Sequence, residues 1–158
     1  MYIWTMIRSK FILLFLTINF GGLAIGSWLM DNGPSTAWYV DLNQAPWTPP
    51  GWVFGVVWTT IMICFSIYMA FLYEKQKSKV LIGLFTLQFI FNVSWNFVFF
   101  NQHLVAFGFI IIALLTLLTF YFLLNYMALL KLKSILIIPY CLWLCIASSL
   151  NLYVLLYN

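Results

Sequence analysis

The chain has 158 residues, of which 65% are hydrophobic, 21% are aromatic and only 6% are charged, and its formal net charge is +4. Its mean hydropathy of +1.04 lies far outside the range of soluble proteins. This composition excludes a water-soluble globular domain and indicates an integral membrane protein.

Polar or charged breaks divide the chain into five apolar stretches. Crossing a bilayer core of roughly 30 Å takes about 20 helical residues, and each stretch is long enough to do so. We predict five transmembrane helices, near 11–30, 51–73, 80–100, 104–130 and 134–157. The expected fold is an all-α bundle of these helices in a single transmembrane domain, 1–158, with an extracytoplasmic loop at 31–50.

The first stretch has a second interpretation. Arg8 and Lys10 precede an apolar run, and residues 24–26 (AIG) imitate the small-x-small cleavage site of a secretory signal. Because the run continues through Trp28 to Met30, it is long enough to span the membrane, which favours a helix of the bundle.

The loop at 31–50 leads into the second helix through a run rich in tryptophan and proline, residues 46–52 (PWTPPGW). Adjacent prolines fix the backbone and suit the start of a helix. We therefore expect Trp47 and Trp52 to be held at the mouth of a pocket. A rigid mouth lined by indoles suggests a site for a flat apolar ligand.

The turn between the third and fourth helices carries no charge. No charged residue occurs from Val80 to Leu130, yet one helix over that length would measure about 75 Å at 1.5 Å per residue. The polar residues 101–103 (NQH) are therefore the predicted turn.

All seven basic residues fall in three places that five crossings put on one side: the N-terminal tail, residues 74–79 and residues 131–133. The positive-inside rule then predicts a cytoplasmic N-terminus and an outer C-terminus. The loop at 31–50 and His103 face outward. Because the positive-inside rule already accounts for the positive net charge, no nucleic-acid partner is expected.

Two helices carry an indole and an amide on one face. Asn92 and Trp95 are three residues apart, and Trp143, Ala147 and Asn151 follow one another at intervals of four. An amide at this depth needs a partner or a ligand. The pattern fits either interhelical hydrogen bonds or a ligand pocket.

Conventional catalytic machinery is missing from the sequence. The predicted spans contain no carboxylate to act as acid or base, and no nucleophile elbow or glycine-rich phosphate loop occurs. The three cysteines and the single histidine lack the spacing of a zinc or haem site, so we expect no metal and no required cofactor. Spans without ionisable residues also argue against ion-coupled pumping.

The chain resembles the TspO/MBR family, the tryptophan-rich sensory proteins related to the mitochondrial translocator protein. The resemblance rests on motifs that occur in the family's order across almost the whole chain. They are WY at 38–39, PWTPPG at 46–51 leading to Trp58, FN at 91–92 with WN at 95–96, and PY at 139–140 with Trp143, Ala147 and LN at 150–151.

This resemblance implies a five-helix bundle, commonly a homodimer, that binds porphyrins such as protoporphyrin IX and, in many members, sterols and benzodiazepine-type ligands. Carried over position by position, it implies a pocket formed by Tyr39, Trp47, Asn92, Trp95, Trp143 and Ala147. Trp47 and Trp143 match the tryptophans associated in bacterial relatives with light-dependent porphyrin breakdown. Such photo-oxidation needs no general acid or base.

One family feature is missing. The family's sterol motif requires a basic residue after its tyrosine, and none occurs between Tyr153 and Asn158. We therefore do not carry sterol binding over from the family to this chain, and the sequence leaves it open.

The resulting hypothesis is a membrane receptor or sensor for porphyrins and similar flat lipophilic molecules, with photochemical porphyrin degradation as a candidate activity. The alternatives are a passive translocator or exporter of such molecules and a regulatory scaffold. Enzyme status stays open, since binding explains every sequence feature. The expected location is a bacterial cytoplasmic membrane, because the chain begins without a mitochondrial presequence.

Overall fold

The computed structural model describes the backbone of residues 2–158 and the side chains from Arg8 onward. Six helices follow in chain order: α1 (Tyr2–Leu29), α2 (Ala37–Val40), α3 (Gly51–Lys75), α4 (Lys79–Asn96), α5 (Val105–Leu130) and α6 (Ile138–Tyr157). Short 3-10 stretches cover Gly33–Ser35 and Lys131–Ile137, and a π turn covers Phe97–Asn101. Residues 2–158 contain no strand, which confirms the all-α prediction.

The outer surface of the bundle is apolar. Four stretches of the described chain are long and apolar enough to cross a membrane, and the last, Val105–Tyr157, contains both α5 and α6, which pack against each other. Large side chains point outward, including Leu13 with 66% of its surface exposed and Leu117 with 67%. Such continuous apolar faces require lipid as their solvent, so the prediction of an integral membrane protein is confirmed.

The five long helices form a closed ring in which each packs mainly against two neighbours, with further contacts across the ring between α3 and α5 and between α4 and α6. The order around the ring is α1, α3, α6, α5, α4 and back to α1. Aromatic side chains fill the interior: Phe65, Tyr68 and Phe122 are fully buried. The Tyr68 hydroxyl donates a hydrogen bond of 2.8 Å to the Phe122 carbonyl, which satisfies a fully buried polar group.

Two helix starts differ from the sequence prediction. α1 begins at Tyr2 rather than near residue 11, so Arg8 and Lys10 lie on the helix and not in a preceding tail. α6 begins at Ile138 rather than near residue 134, because Lys131 takes a positive φ of 53° and the chain continues as a 3-10 stretch. Pro139 then occupies the first turn of α6, where its missing N–H costs no hydrogen bond.

Basic residues from three segments meet at one end of the bundle. The Arg8 guanidinium on α1 pairs with the Glu74 carboxylate on α3, with Nε 2.8 Å from Oε2. The Lys133 ammonium lies 3.9 Å from the ring centre of Phe71. Lys75 donates to the Leu129 carbonyl at 2.8 Å. These contacts hold α1, α3 and α5 together at the basic end.

At the opposite end, residues 31–50 cover the bundle and are called here the roof segment. Asp31 and Asn32 have positive φ angles of 47° and 58° and end α1, as their short polar side chains tolerate the left-handed region. Gly33 then touches Phe100 so closely that a Cβ would lie 2.4 Å from the Phe100 Cβ. Thr36 caps α2 by accepting a hydrogen bond from the Tyr39 amide.

Candidate ligand-binding site

A cavity of about 310 Å³ lies between α1, α3 and α4, directly beneath the roof segment. This volume is at the lower end of the range of about 300–1,000 Å³ that is usual for small-molecule sites. Its wall consists of Gly22, Leu23, Ser27, Met30, Pro34, Tyr39, Gln44, Thr48, Pro49, Gly51, Phe54, Trp58, Asn92, Trp95, Asn96 and Phe100.

Two glycines on α1 determine how closely this helix approaches α4 at the cavity. A Cβ on Gly22 would lie 2.6 Å from Cε2 of Phe89, and one on Gly26 would lie 2.8 Å from Nδ2 of Asn96. Glycine at both positions therefore permits the close approach of the two helices. This pair packs within the bundle. On α3, by contrast, a Cβ added to Gly51 or Gly55 would meet nothing within 4 Å.

The α3 side of the cavity is formed by a stripe at helical spacing. Gly51, Phe54 and Trp58 are three and four residues apart and share one face. Phe54 packs edge-on against Trp143 with ring centres 5.2 Å apart, and Trp58 packs edge-on against Tyr140 at 6.1 Å. Contacts with α6 thus fix the orientation of both wall residues.

On the α4 side of the cavity, the indole N–H of Trp95 already has a hydrogen-bond partner. The Trp95 Nε1 donates a hydrogen bond of 3.2 Å to Oδ1 of Asn151 on α6, and the Asn151 amide donates to the Ala147 carbonyl at 3.0 Å. For Trp95 and Asn151 the structure therefore supports the interpretation as an interhelical hydrogen bond. The ring of Trp95 still contributes to the cavity wall.

The amide of Asn92 is unpaired. Its side chain is 8% exposed and makes no hydrogen bond to any residue that the structure describes, while its backbone carbonyl accepts one from Asn96 at 3.1 Å. Asn92 and Asn96 both line the cavity. A buried amide facing a cavity can both donate and accept, so it suits a neutral polar group of a ligand.

The roof segment closes the cavity with Tyr39 and Gln44. The Tyr39 ring packs on Phe100 with centres 5.2 Å apart, and its backbone carbonyl accepts a hydrogen bond of 3.0 Å from the Gln44 amide. Burial raises the pKa of the Tyr39 phenol, which therefore stays neutral. Trp38, next in sequence, stacks on His103 at 4.0 Å and ties the roof segment to the turn before α5.

Four of the six predicted ligand contacts meet at this place. Tyr39, Asn92 and Trp95 line the main cavity. Ala147 lines an adjoining space of about 20 Å³ that shares Tyr39 and Trp95 with it. These four residues come from the roof segment, α4 and α6, so the structure brings together positions far apart in the chain.

Trp47 and Trp143 are not on the cavity wall. Trp47 has 54% of its surface exposed, donates from Nε1 to the Ser149 hydroxyl at 3.1 Å and packs edge-on against Tyr153. Its indole thus turns toward α6, and not toward the pocket mouth where the proline run predicted it. Trp143 is 4% exposed and separated from the cavity by Phe54.

The wall residues that the sequence interpretation omitted have a recognisable pattern. Phe54 and Trp58 follow Gly51 at intervals of three and four, and Asn96 is one turn beyond Asn92. The same periodicity that selected Trp95 would have selected them. What was missing was knowledge of which face of α3 turns inward.

The wall of the cavity carries no formal charge. Among the described residues that line it there is no aspartate, glutamate, lysine, arginine or histidine. Acid–base catalysis requires a group that exchanges a proton near neutral pH, and the phenol, amides, hydroxyls and indoles of this wall do not provide one. The wall that the structure describes therefore offers no group for acid–base catalysis.

Comparison with known proteins identifies the family and the relatives that this chain resembles. The model of the TspO/MBR family matches residues 12–157. The tryptophan-rich protein TspO of Bacillus cereus is 32% identical over 149 residues, covering 91% of this chain and 93% of its own. Protein CrtK of Rhodobacter capsulatus is 30% identical, covering 73% and 74% of the two chains.

The human translocator protein is 28% identical over 136 residues, covering 82% of this chain and 79% of its own. The resemblance inferred from the motifs is thus confirmed over nearly the full length. The chain belongs to the TspO/MBR family of membrane proteins.

Proposed function

We propose that this protein is a membrane receptor or sensor for porphyrins of the protoporphyrin IX type and for similar flat lipophilic molecules. The observation that carries the proposal is a cavity with two indoles, Trp58 and Trp95, on its wall and the unpaired amide of Asn92 beside them. Aromatic side chains bind flat rings by stacking or edge contacts, and an amide adds orientation.

The size of the cavity determines how such a ligand would bind. A tetrapyrrole with its side chains is larger than a space of about 310 Å³, so part of the macrocycle would project through the opening. The exposed wall residues Ser27, Pro34 and Gly51 mark that opening, between the outer ends of α1 and α3. The ligand would therefore insert one edge of its ring.

Packing beneath the cavity favours binding over conduction. Ile61, Phe65 and Tyr68 of α3 and Leu115 of α5 have at most 1% of their surface exposed. A dense core of this kind leaves no path along the bundle axis. The alternative of a passive translocator or exporter, which the names of the translocator relatives suggest, would require movement along the outside of the bundle.

We also propose a bacterial cytoplasmic membrane, a cytoplasmic N-terminus and an outer C-terminus for this protein. The basic residues gathered at one end of the bundle support this orientation. A homodimer is proposed on the exposed face of α3. Gly55 and Thr59 are exposed there at an interval of four, which permits close helix approach.

Light-dependent porphyrin degradation is the candidate chemistry, with dioxygen as the oxidant. The resemblance implies Trp47 and Trp143 for this role. The cavity wall offers Trp58 and Trp95 instead as the indoles that a bound ring would contact. The two pairs can be separated by experiment, because a photo-oxidised indole must lie near the excited porphyrin.

The test is a titration of the purified chain in nanodiscs with protoporphyrin IX, followed by tryptophan fluorescence and Soret absorbance in darkness. We expect saturable quenching, weakened severalfold by Asn92→Ala and by Trp58→Phe but not by Trp47→Phe, whose indole lies outside the cavity. The absence of saturable binding would overturn the proposal.

Illumination of the saturated complexes then tests the photochemistry. Loss of the Soret band that stops in Trp58→Phe or Trp95→Phe would assign the reaction to the cavity wall. Loss that stops only in Trp47→Phe or Trp143→Phe would assign it to the pair implied by the family. Stable absorbance in the unchanged protein would leave a receptor without photochemistry.

A further inference from the structure

The outer face of α3 narrows to a single apolar strip toward the basic end of the bundle. Within residues 61–72, the side chains of Ile63, Cys64, Ile67 and Phe71 are exposed or half-buried, and every other side chain is buried. Their intervals of one, three and four place them on one helix face, called here the outer strip. From residue 63 to residue 71 the strip rises about 12 Å, which is most of the roughly 15 Å that one leaflet contributes to the bilayer core.

Two cations from different segments meet at the basic end of this strip. α1 packs along α3, and the 3-10 stretch Lys131–Ile137 packs against α3 as well. The Arg8 guanidinium carbon on α1 lies 5.0 Å from the ring centre of Phe71, and the Lys133 ammonium lies 3.9 Å from it. Phe71 is therefore the point where the apolar strip ends and a charged cluster begins.

Positive charge exceeds negative charge in this cluster. Glu74, one turn beyond Phe71, accepts hydrogen bonds from Arg8 through both carboxylate oxygens, at 2.8 and 3.2 Å. The charges of Lys75 and Lys133 also act on this carboxylate. Three cations thus share one anion, which leaves a net charge of +2 at the end of the outer strip.

The Lys133 ammonium lacks a hydrogen-bond acceptor. Each ammonium carries three donors, and none of those on Lys133 has an acceptor or forms an ion pair within the part of the chain that the structure describes. Lys75, by contrast, donates to the Leu129 carbonyl at 2.8 Å. Because Lys133 is half-buried against the Phe71 ring, it gives up water without gaining an anion. Lipid head groups lie at this level, where the apolar helices end.

We propose that the outer strip and this cluster bind one anionic phospholipid, with phosphatidylglycerol as the probe that represents the class. The lipid phosphate accepts hydrogen bonds from Lys133, while one acyl chain lies along Ile63, Cys64 and Ile67. The net positive charge favours such a lipid over a zwitterionic one, whose head group carries its own cation. The apolar strip favours a lipid over free phosphate, which has no hydrocarbon to place there.

This site is separate from the surfaces proposed above. The cavity takes its α3 residues from 51–58, and the proposed dimer contact uses Gly55 and Thr59. The outer strip begins at Ile63, one helical turn closer to the basic end. Lipid binding at the strip is therefore independent of porphyrin binding, and either proposal can fail without the other.

The test titrates the purified full chain in detergent micelles with phosphatidylglycerol or phosphatidylcholine of the same acyl chains, and bound lipid is counted by native mass spectrometry. One basic residue near an anionic head group contributes about fivefold in affinity. We expect one phosphatidylglycerol to bind at least about fivefold more tightly than phosphatidylcholine. Lys133→Gln should weaken phosphatidylglycerol binding by about fivefold, and excess inorganic phosphate should not displace the lipid.

Two further variants distinguish the site from general attraction to a basic surface. Glu74→Gln removes the negative charge of the cluster and should strengthen phosphatidylglycerol binding by about fivefold, whereas mere loosening of the structure would weaken it. Lys79→Gln is the matched control. It removes one exposed positive charge at the same end of the bundle, but on α4, which packs mainly against α1 and α5. It should leave the affinity unchanged.

Photo-crosslinking in nanodiscs locates the bound lipid. Phosphatidylglycerol with a diazirine on one acyl chain should label peptides that contain residues 63–71. Equal losses of affinity in Lys133→Gln and Lys79→Gln, or labelling spread evenly over all helices, would overturn the site. Equal affinity for the two lipids, displacement by inorganic phosphate, or weaker binding by Glu74→Gln would likewise contradict the proposal.

Discussion

Replacing Trp95 by phenylalanine removes the donor of a buried hydrogen bond that joins α4 to α6. The acceptor, Oδ1 of Asn151, is 3.2 Å from Nε1 in the native protein, and both residues are at most 6% exposed. After the substitution this oxygen has no other partner among the described residues. The variant should therefore be less stable than the loss of ring area alone would predict.

Trp143 provides a matched control inside the same bundle. Its indole is 4% exposed, and its Nε1 has no hydrogen-bond partner among the described residues. Trp143→Phe thus removes a similar area of ring without breaking a hydrogen bond. The difference in stability between Trp95→Phe and Trp143→Phe therefore reports two polar effects, the hydrogen bond that is lost at Trp95 and the unpaired N–H that is removed at Trp143.

The magnitude follows from what interhelical hydrogen bonds contribute in membranes. Measured couplings average about 0.6 kcal/mol and reach about 1.7 kcal/mol, because the unfolded chain in the membrane also finds partners. Leaving a buried acceptor unpaired has its own cost, which is about 1–3 kcal/mol. We expect Trp95→Phe to be about 1 kcal/mol less stable than Trp143→Phe, near the middle of these ranges.

The assay is a double-mutant cycle of Trp95→Phe, Asn151→Leu and the two together, unfolded reversibly by dodecyl sulfate in mixed micelles. Because the double variant lacks both partners, it should lose about 1 kcal/mol less than the sum of the single losses. Losses that add within about 0.3 kcal/mol would refute the reasoning, since they would mean that the hydrogen bond contributes nothing to the folded bundle.

Three further predictions concern α1 and the roof segment. Gly22→Ala places a Cβ 2.6 Å from Phe89 and should lower the stability in micelles by about 1–3 kcal/mol, whereas Gly21→Ala, with nothing within 4 Å, should be neutral or stabilising by up to about 1 kcal/mol. Equal losses would contradict the close helix contact. Because burial raises the pKa of Tyr39, the unfolded chain releases that proton first, and stability should fall as the pH rises above about 10. Tyr39→Phe should flatten this decline in a pH series of unfolding curves, and an unchanged slope would count against the burial. Trp47→Phe removes a hydrogen bond to α6 and should increase hydrogen exchange in the roof segment by about threefold to tenfold, with exchange in α5 as the internal control.

Local features of the chain were readable from the sequence because they depend on composition and short-range geometry. The apolar stretches, the polar break near residues 101–103 and the shared face of Asn92 and Trp95 required only hydropathy and the helical period. The break is built as expected from a polar turn: His103 adopts a positive φ of 56° between the π turn and α5.

The directions of side chains in the roof segment could not be predicted from hydropathy and the helical period. The proline run predicted that Trp47 is held rigidly, but the direction of its indole depends on Ser149 and Tyr153, which lie 102 and 106 residues further along the chain. Trp58 illustrates the converse case. Its place on the cavity wall follows from the face that α3 turns toward α1 and α4, and nearly uniform hydrophobicity around a membrane helix conceals that face.

The sequence by itself determined that this protein lies in a membrane, that its fold is all-helical, which residues share a helix face and which family it belongs to. These properties follow from the transfer of apolar helices into lipid and from motifs that are local in the chain. Only the tertiary structure decided which of the tryptophans surround the cavity, that Asn151 satisfies Trp95 while Asn92 stays unpaired, and that the cavity lies beneath the roof segment. Those properties depend on contacts between helices distant in sequence, where packing and the pairing of buried polar groups select one arrangement.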